Sequence, residues 1–185
     1  MIRESIQVLI QGISITKDQA REAMSEIMSG EATDAQISSF ATALRMKGET
    51  SDEVAGMAAT MLEMALKVEG PDAAIDTCGT GGDGSSTFNI STTAAFVVAG
   101  GGVTVAKHGN RAVSGSVGSA DVLEQLGVRI DLQPDDVQRC IDTTQMCFMF
   151  APVFHPSMRF AANARREIGI RTIFNILGPL VNPAR

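Results

Sequence analysis

Four of the six residues from Gly79 to Gly84 are glycine. They lie between a β-prone segment, Ala73 to Thr77, and an apolar run, Thr93 to Ala99, which Ser91 or Thr92 is placed to open as a helix. A strand that turns through glycines into a helix is the start of a βαβ unit, and such units build a mainly parallel sheet with ligand loops at the strand C-termini. Glycines also let backbone N–H groups turn inward where side chains would block them. A concave row of N–H groups beside a helix N-terminus is an anion site, most often for phosphate. The run D-T-C-G-T-G-G-D-G-S-S-T from Asp76 to Thr87 therefore predicts a phosphorylated small molecule as ligand. The bland alternative is a tight connection that needs no ligand. No G-K-[ST] closes the loop as in a Walker A motif, and the spacing is not the dinucleotide fingerprint.

The first seventy residues read as helices. Thr16-x-x-Gln19, Thr33-x-x-Gln36 and Thr50-x-x-Glu53 are capping boxes seventeen residues apart, in which the hydroxyl and the Gln or Glu satisfy each other's backbone N–H groups. Gly12, Gly30 and Gly48 stand where helices would end. Ala20, Ala23, Met24, Ile27 and Met28 form one apolar stripe, and Val54, Met57, Ala58, Met61, Leu62, Ala65 and Leu66 another. The flanking sequences differ, so an antiparallel bundle is expected and not a solenoid. Gly70-Pro71 is the expected boundary. Beyond it, strand-like runs (Ala74–Thr77, Val103–Ala106, Val128–Leu132, Met146–Phe150) alternate with helix-like runs (Ser91–Ala99, Ala120–Leu126, Pro134–Asp142), and a last helix is expected over Ser157 to Ile168, ended by Gly169. The expected fold is α/β with a small helical domain. Residues 1–70 form the helical domain, completed by helices within 156–185, and 71–155 form the α/β domain. Its parallel sheet would be incomplete, with four strands where five or six are usual. Such an edge would favour self-association, partial disorder near the end or a rearranged C-terminus.

The net charge of −6 argues against general nucleic-acid affinity. Three cysteines without ligand spacing suggest a reducing compartment and no disulfide framework. With no signal-like run and no membrane-length apolar stretch, a cytoplasmic protein without membrane partners is expected.

Several residues are candidates for chemistry. Asp83 would repel phosphate directly, so it either acts through magnesium or accepts from the loop's own N–H groups. Ser91 and Thr92 serve as helix caps, as donors to a diphosphate, or both. Lys107-His108-Gly109-Asn110-Arg111 follows the second expected strand, and the small residues from Ala112 to Ser119 could fold over a ligand; a solvated run is the bland alternative. Arg165 and Arg166 lie on the late helix, either solvated or with one forking onto a carboxylate.

D-T-C-G-T-G-G-D-G, N-I-S-T, K-H-G-N-R, G-S-A-D-V-L-E-Q-L-G, H-P-S-M-R, R-R-E-I-G-I-R-T and F-N-I-L-G-P-L-V-N-P-A occur here in order. Together they resemble the anthranilate phosphoribosyltransferases of tryptophan biosynthesis. The resemblance implies transfer of phosphoribosyl from phosphoribosyl pyrophosphate (PRPP) to anthranilate, with magnesium, in a homodimer joined through the helical domain. It implies that Gly79, Thr80, Gly82, Asp83, Thr87, Asn89, Ser91, Thr92 and Lys107 hold PRPP, with Ser91 a magnesium ligand, Lys107 supporting the transition state, and Ser114, Gly115 and Ser119 in a loop over it. It assigns Gly79, His108, Asn110, His155, Met158, Arg165 and Gly178 to anthranilate, with Arg165 facing the carboxylate. The amine would attack ribose C1 as pyrophosphate leaves, through an oxocarbenium-like state that needs charge stabilisation more than a strong base.

This chain departs from the family in carrying Ser116 where Lys or Arg is usual and Met158 where Tyr is frequent. Family members continue past residue 185 with an Asp-Glu pair that binds magnesium, so weak or absent turnover is expected. Other readings are a non-catalytic phosphate-binding and oligomerisation fragment, a relative of the pyrimidine nucleoside phosphorylases, and a nucleic-acid-binding relative, which the acidic balance disfavours.

Overall fold

The computed structural model describes residues 1–81, 88–112 and 117–184. The helices are α1 (Ile2–Leu9), α2 (Lys17–Ser29), α3 (Asp34–Lys47), α4 (Ser51–Glu63), α5 (Ile90–Gly100), α6 (Ser119–Gln125), α7 (Pro134–Thr144), α8 (Ala151–Phe154), α9 (Arg159–Ile168) and α10 (Ile173–Leu177). The strands are β1 (Val105–Gly109) and β2 (Met146–Phe150). Two compact units result: Met1–Met64 with Pro156–Val181, and Ala65–His155 with Asn182–Arg185.

In the helical unit each predicted capping box forms. Thr16, Thr33 and Thr50 accept from the N–H groups of Gln19, Gln36 and Glu53, whose side chains accept in return. Gly30 closes α2 at φ 81°, a left-handed position that L side chains rarely adopt. The α2 stripe is fully buried, against Phe40 and Leu44 of α3, Met57 and Met61 of α4, and Ile173, Phe174 and Leu177 of α10. Ala65 and Leu66 lie beyond the end of α4, and Leu66 is exposed.

The tightest approach in this unit is between α2 and α4. A Cβ on Gly56 would stand 2.3 Å from the Lys17 carbonyl oxygen. Backbone is at stake, so the helices must separate to admit a methyl. Gly56→Ala is expected to destabilise by about 1–3 kcal/mol, read as a lower urea midpoint. Equal or greater stability would contradict so close a crossing.

In the second unit β1 and β2 pair in parallel, Val105 opposite Met146 through Gly109 opposite Phe150. Ile75 adds an isolated parallel bridge to Val105 on the other side of β1, donating to the Thr104 carbonyl and accepting from Ala106 N–H. The expected parallel order therefore holds, but Val128–Leu132 is not a strand. Val128 N–H instead closes the end of α6 by donating to the Leu123 carbonyl, and only Ile130 of the segment is buried, against Leu123 and Phe148. Leu132 packs, half-buried, against the core around Val137 and Ile141, so Ile130 and Leu132 find apolar partners without strand pairing. A second core joins Val137 and Ile141 of α7, Cys147 and Met149 of β2, Ala106 and Phe154. Among the described residues no helix is long and apolar enough to cross a membrane.

Candidate functional site

Strand β1 begins two residues later than expected and runs through Lys107 and His108, so these residues lie within the sheet and not in a loop after it. Their burial follows: Lys107 is 1% exposed and His108 is 4% exposed. A lysine in the middle of a strand costs a great deal to desolvate unless polar groups meet its ammonium. Here Nζ donates to Thr77 Oγ1 at 3.3 Å and to Ser91 Oγ at 3.5 Å. Thr77 Oγ1 in turn donates to the Ser91 carbonyl at 2.8 Å. Burial, first, pulls the Lys107 pKa below the ordinary lysine value, and Asp76 and Cys78 push back. Among the described residues no carboxylate lies within ion-pair distance of Nζ.

Ser91 belongs to the first turn of α5, whose cap is Asn89 and not Ser91 or Thr92. Asn89 Oδ1 accepts from Thr92 N–H at 3.1 Å and from Ser91 Oγ at 3.3 Å. Asn is among the strongest N-cap residues, and that preference was the signal available in N-I-S-T. Freed from capping, the Thr92 hydroxyl donates to Ser119 Oγ at 2.9 Å, at the start of α6. The hydroxyls of Thr77, Ser91, Thr92 and Ser119 thus gather about one helix N-terminus, with a buried ammonium among them. Helix end and ammonium carry the same sign, and both favour an anion.

Asp76 holds this arrangement, although its sequence context alone did not mark it as a site residue. Its Oδ1 accepts from Cys78 N–H at 2.9 Å and from His108 N–H at 3.2 Å. Its Oδ2 accepts from Asn182 Nδ2 at 2.7 Å, and the same Nδ2 donates to the Ala106 carbonyl at 2.8 Å. The Asp76–Cys78 contact is an Asx turn, legible from an Asp shortly before the glycine loop; Asn182 gave no local signal. Burial, then Asp76, push the Cys78 thiol up to about 11, so it is protonated and a poor nucleophile at neutral pH.

Gly79 and Thr80 are exposed and follow Cys78 directly. His108 and His155 are both buried, with ring centroids 5.1 Å apart. Asn110 Oδ1 accepts from Arg111 N–H, and its carbonyl accepts from Ala120 N–H. Arg111, the last residue of the K-H-G-N-R run, pairs with Asp121 and, bidentately, with Glu124 of α6. Met158, Arg165 and Gly178 belong to the helical unit. The Arg165 guanidinium lies 5.4 Å from the centre of the Phe174 ring, and burial lowers its pKa. Arg166 is exposed and donates to Asn163. Gly82, Asp83, Thr87, Ser114, Gly115 and Ser116 lie outside the described residues.

The model of a glycosyl transferase family helical bundle domain matches residues 3–65, and that of a glycosyl transferase family a/b domain matches residues 71–185. The chain belongs to this glycosyl transferase family. Among its relatives, the anthranilate phosphoribosyltransferase of Chloroflexus aurantiacus is 63% identical over 184 residues, covering 100% of this chain and 54% of that protein. The crystal structure of the enzyme of the same name from Thermus thermophilus matches with a TM-score of 0.91 at 45% identity, over 97% of this chain and 55% of that one. The Saccharomyces cerevisiae enzyme, solved in complex with PRPP and magnesium, matches with a TM-score of 0.89 at 30% identity, over 98% and 55%. The chain spans about half the length of the curated relatives it matches. The resemblance drawn from the motifs and the family found by comparison agree.

Proposed function

We propose that the chain binds PRPP about the N-terminus of α5, and that the protein acts in transferring the phosphoribosyl group to anthranilate with release of pyrophosphate. The observation that carries this reading is Lys107. It is a buried ammonium met by the hydroxyls of Thr77 and Ser91, beside the start of an eleven-residue helix. A diphosphate supplies the negative charge that this cluster lacks. In this reading Gly79, Thr80, Gly82, Asp83, Thr87, Asn89, Ser91, Thr92, Ser114, Gly115 and Ser119 contact PRPP. Gly79, His108, Asn110, His155, Met158, Arg165 and Gly178 contact anthranilate.

Magnesium fits the site through Ser91. Its Oγ is a hard oxygen donor, and magnesium takes one or two protein oxygens with the rest from substrate phosphates and water. When bound, the ion neutralises charge on the departing diphosphate. The chain's own groups do the rest. Lys107 and the N–H groups of α5 stabilise the leaving group, and the Arg165 guanidinium orients the anthranilate carboxylate. The relatives' shared name favours this reading over that of a nucleoside phosphorylase. We also propose a homodimer joined through the helical unit, in the cytoplasm.

Isothermal titration of PRPP with magnesium into the 185-residue chain tests the proposal. Saturable binding at one site per chain, displaced by inorganic pyrophosphate, is the expected result. Absence of saturable binding to the folded chain overturns it.

A further inference from the structure

Ile75 pairs with Val105 in parallel. The ladder does not continue past that bridge: the Ala106 carbonyl accepts from Asn182 Nδ2, and His108 N–H donates to Asp76 Oδ1. Asp76 Oδ1 takes the N–H groups of both Cys78 and His108 and so draws the three residues together. A carboxylate oxygen of Asp76, the thiol sulfur of Cys78 and an imidazole nitrogen of His108 all lie within 4.8 Å of one another.

We propose that Asp76, Cys78 and His108 form a binding site for a thiophilic divalent cation of the zinc class. The donor set decides the class of ion. One sulfur and one imidazole nitrogen suit zinc and cadmium, whereas magnesium prefers oxygen alone. The geometry is close to what is needed. Metal–ligand bonds of about 2.0–2.3 Å in a tetrahedron set ligand atoms about 3.5 Å apart. Binding therefore requires the three atoms to close by at most roughly 1.3 Å.

Asp76 is prepared as a ligand. A carboxylate offers about four lone-pair positions. Cys78 N–H and His108 N–H occupy two on Oδ1, and Asn182 Nδ2 occupies one on Oδ2, so a position on Oδ2 remains. The three hydrogen bonds fix the carboxylate's direction, as outer partners do at metal centres. On binding, the Cys78 S–H bond breaks, a metal–sulfur bond forms, and the proton passes to solvent. Three protein ligands leave a fourth position for water. Lys107 is the nearby opposing charge, and its Nζ is directed to Thr77 and Ser91.

Cadmium is the probe of choice, because the chain has neither Trp nor Tyr and its ultraviolet background is low. Titration of the 185-residue chain with cadmium is expected to raise a thiolate-to-metal charge-transfer band that saturates at one ion per chain. Calorimetry with zinc in two buffers of different ionisation enthalpy is expected to show about one proton released per ion. Cys78→Ser should remove the band, and the double variant Cys140→Ser with Cys147→Ser should keep it. His108→Gln should weaken zinc binding by about tenfold or more, with circular dichroism confirming the fold of each variant; this variant carries the test if Cys78→Ser does not fold. No band in the wild-type chain, a band that survives Cys78→Ser, or unchanged zinc affinity in His108→Gln overturns the proposal. None of these measurements contains PRPP, so their outcome is independent of the phosphate-site reading.

Discussion

Glu53→Ala is expected to cost the helical unit about 3–5 kcal/mol, the usual result of removing one partner from a buried ion pair. The Glu53 side chain is 0% exposed and that of Lys47 is 6% exposed, with Nζ and Oε2 2.9 Å apart. The carboxylate has two further partners: Oε1 accepts from Ile15 N–H at 3.0 Å, and Oε2 from Thr50 N–H at 2.8 Å. One side chain thus joins the segment before α2, the end of α3 and the start of α4. Alanine would leave a buried ammonium and two backbone donors without it. Glu53→Gln, which keeps an acceptor, should lose less. The pH dependence has a definite sign. Desolvation raises the Glu53 pKa, but Thr50 N–H, Lys47 and Ile15 N–H outweigh it, and the net shift is downward from 4.5. The contribution is therefore complete above about pH 4.5 and is lost as pH falls through the lower native value. Urea unfolding of wild type and variant at pH 7 and at decreasing pH checks both statements. A midpoint unmoved at pH 7 would rule out this role for Glu53.

Glu53 also marks how far local sequence reaches. Its place in a capping box is visible in the sequence, because the box is a four-residue pattern with its own local energetics. The Lys47 partnership and the bond to Ile15 are not, because they depend on how α2, α3 and α4 pack. The same division runs through the α/β unit. The strand at Met146–Phe150, the helix starting at Pro134 and the glycine ends of α2, α3 and α9 are legible from local chemistry. The Val128–Leu132 segment misleads because Ile130 and Leu132 pack on separate apolar clusters and give a strand-like run without strand pairing. Lys107 reads as a loop residue because charged residues rarely occupy strand interiors, and that expectation fails here because the hydroxyls of Thr77 and Ser91 meet its ammonium. Asp76 and Asn182, 106 residues apart, meet only through the fold. Most of the helical architecture is thus readable in windows of a few residues. The site requires the tertiary structure, since its groups come from the Ile75 segment, α5, β1 and α6.

Lys107→Met is expected to weaken PRPP binding by about 2–3 kcal/mol, roughly 30- to 150-fold, the range for a hydrogen bond to a charged group. Methionine retains most of the unbranched stem that fills the β1 position and removes only the ammonium. Burial disfavours the charged form of Lys107, which is why its pKa falls, so at neutral pH the native lysine destabilises the unliganded fold. The variant should accordingly melt no lower than wild type while binding less. That opposition distinguishes a ligand-directed cation from a structural one. A second consequence concerns pH. The diphosphate prefers the protonated lysine, so wild-type affinity should decline as pH rises through a value below 10.5, and Lys107→Met should lack that decline. Arginine should rescue poorly, because its planar guanidinium is broader than an ammonium and the site is 1% exposed. Calorimetric titration of PRPP with magnesium across pH, alongside thermal melts without ligand, measures each quantity. If Lys107→Met binds PRPP as tightly as wild type, the buried ammonium is not aimed at the diphosphate. If it binds weakly only because it melts early, the lysine serves the fold and the anion must be held elsewhere.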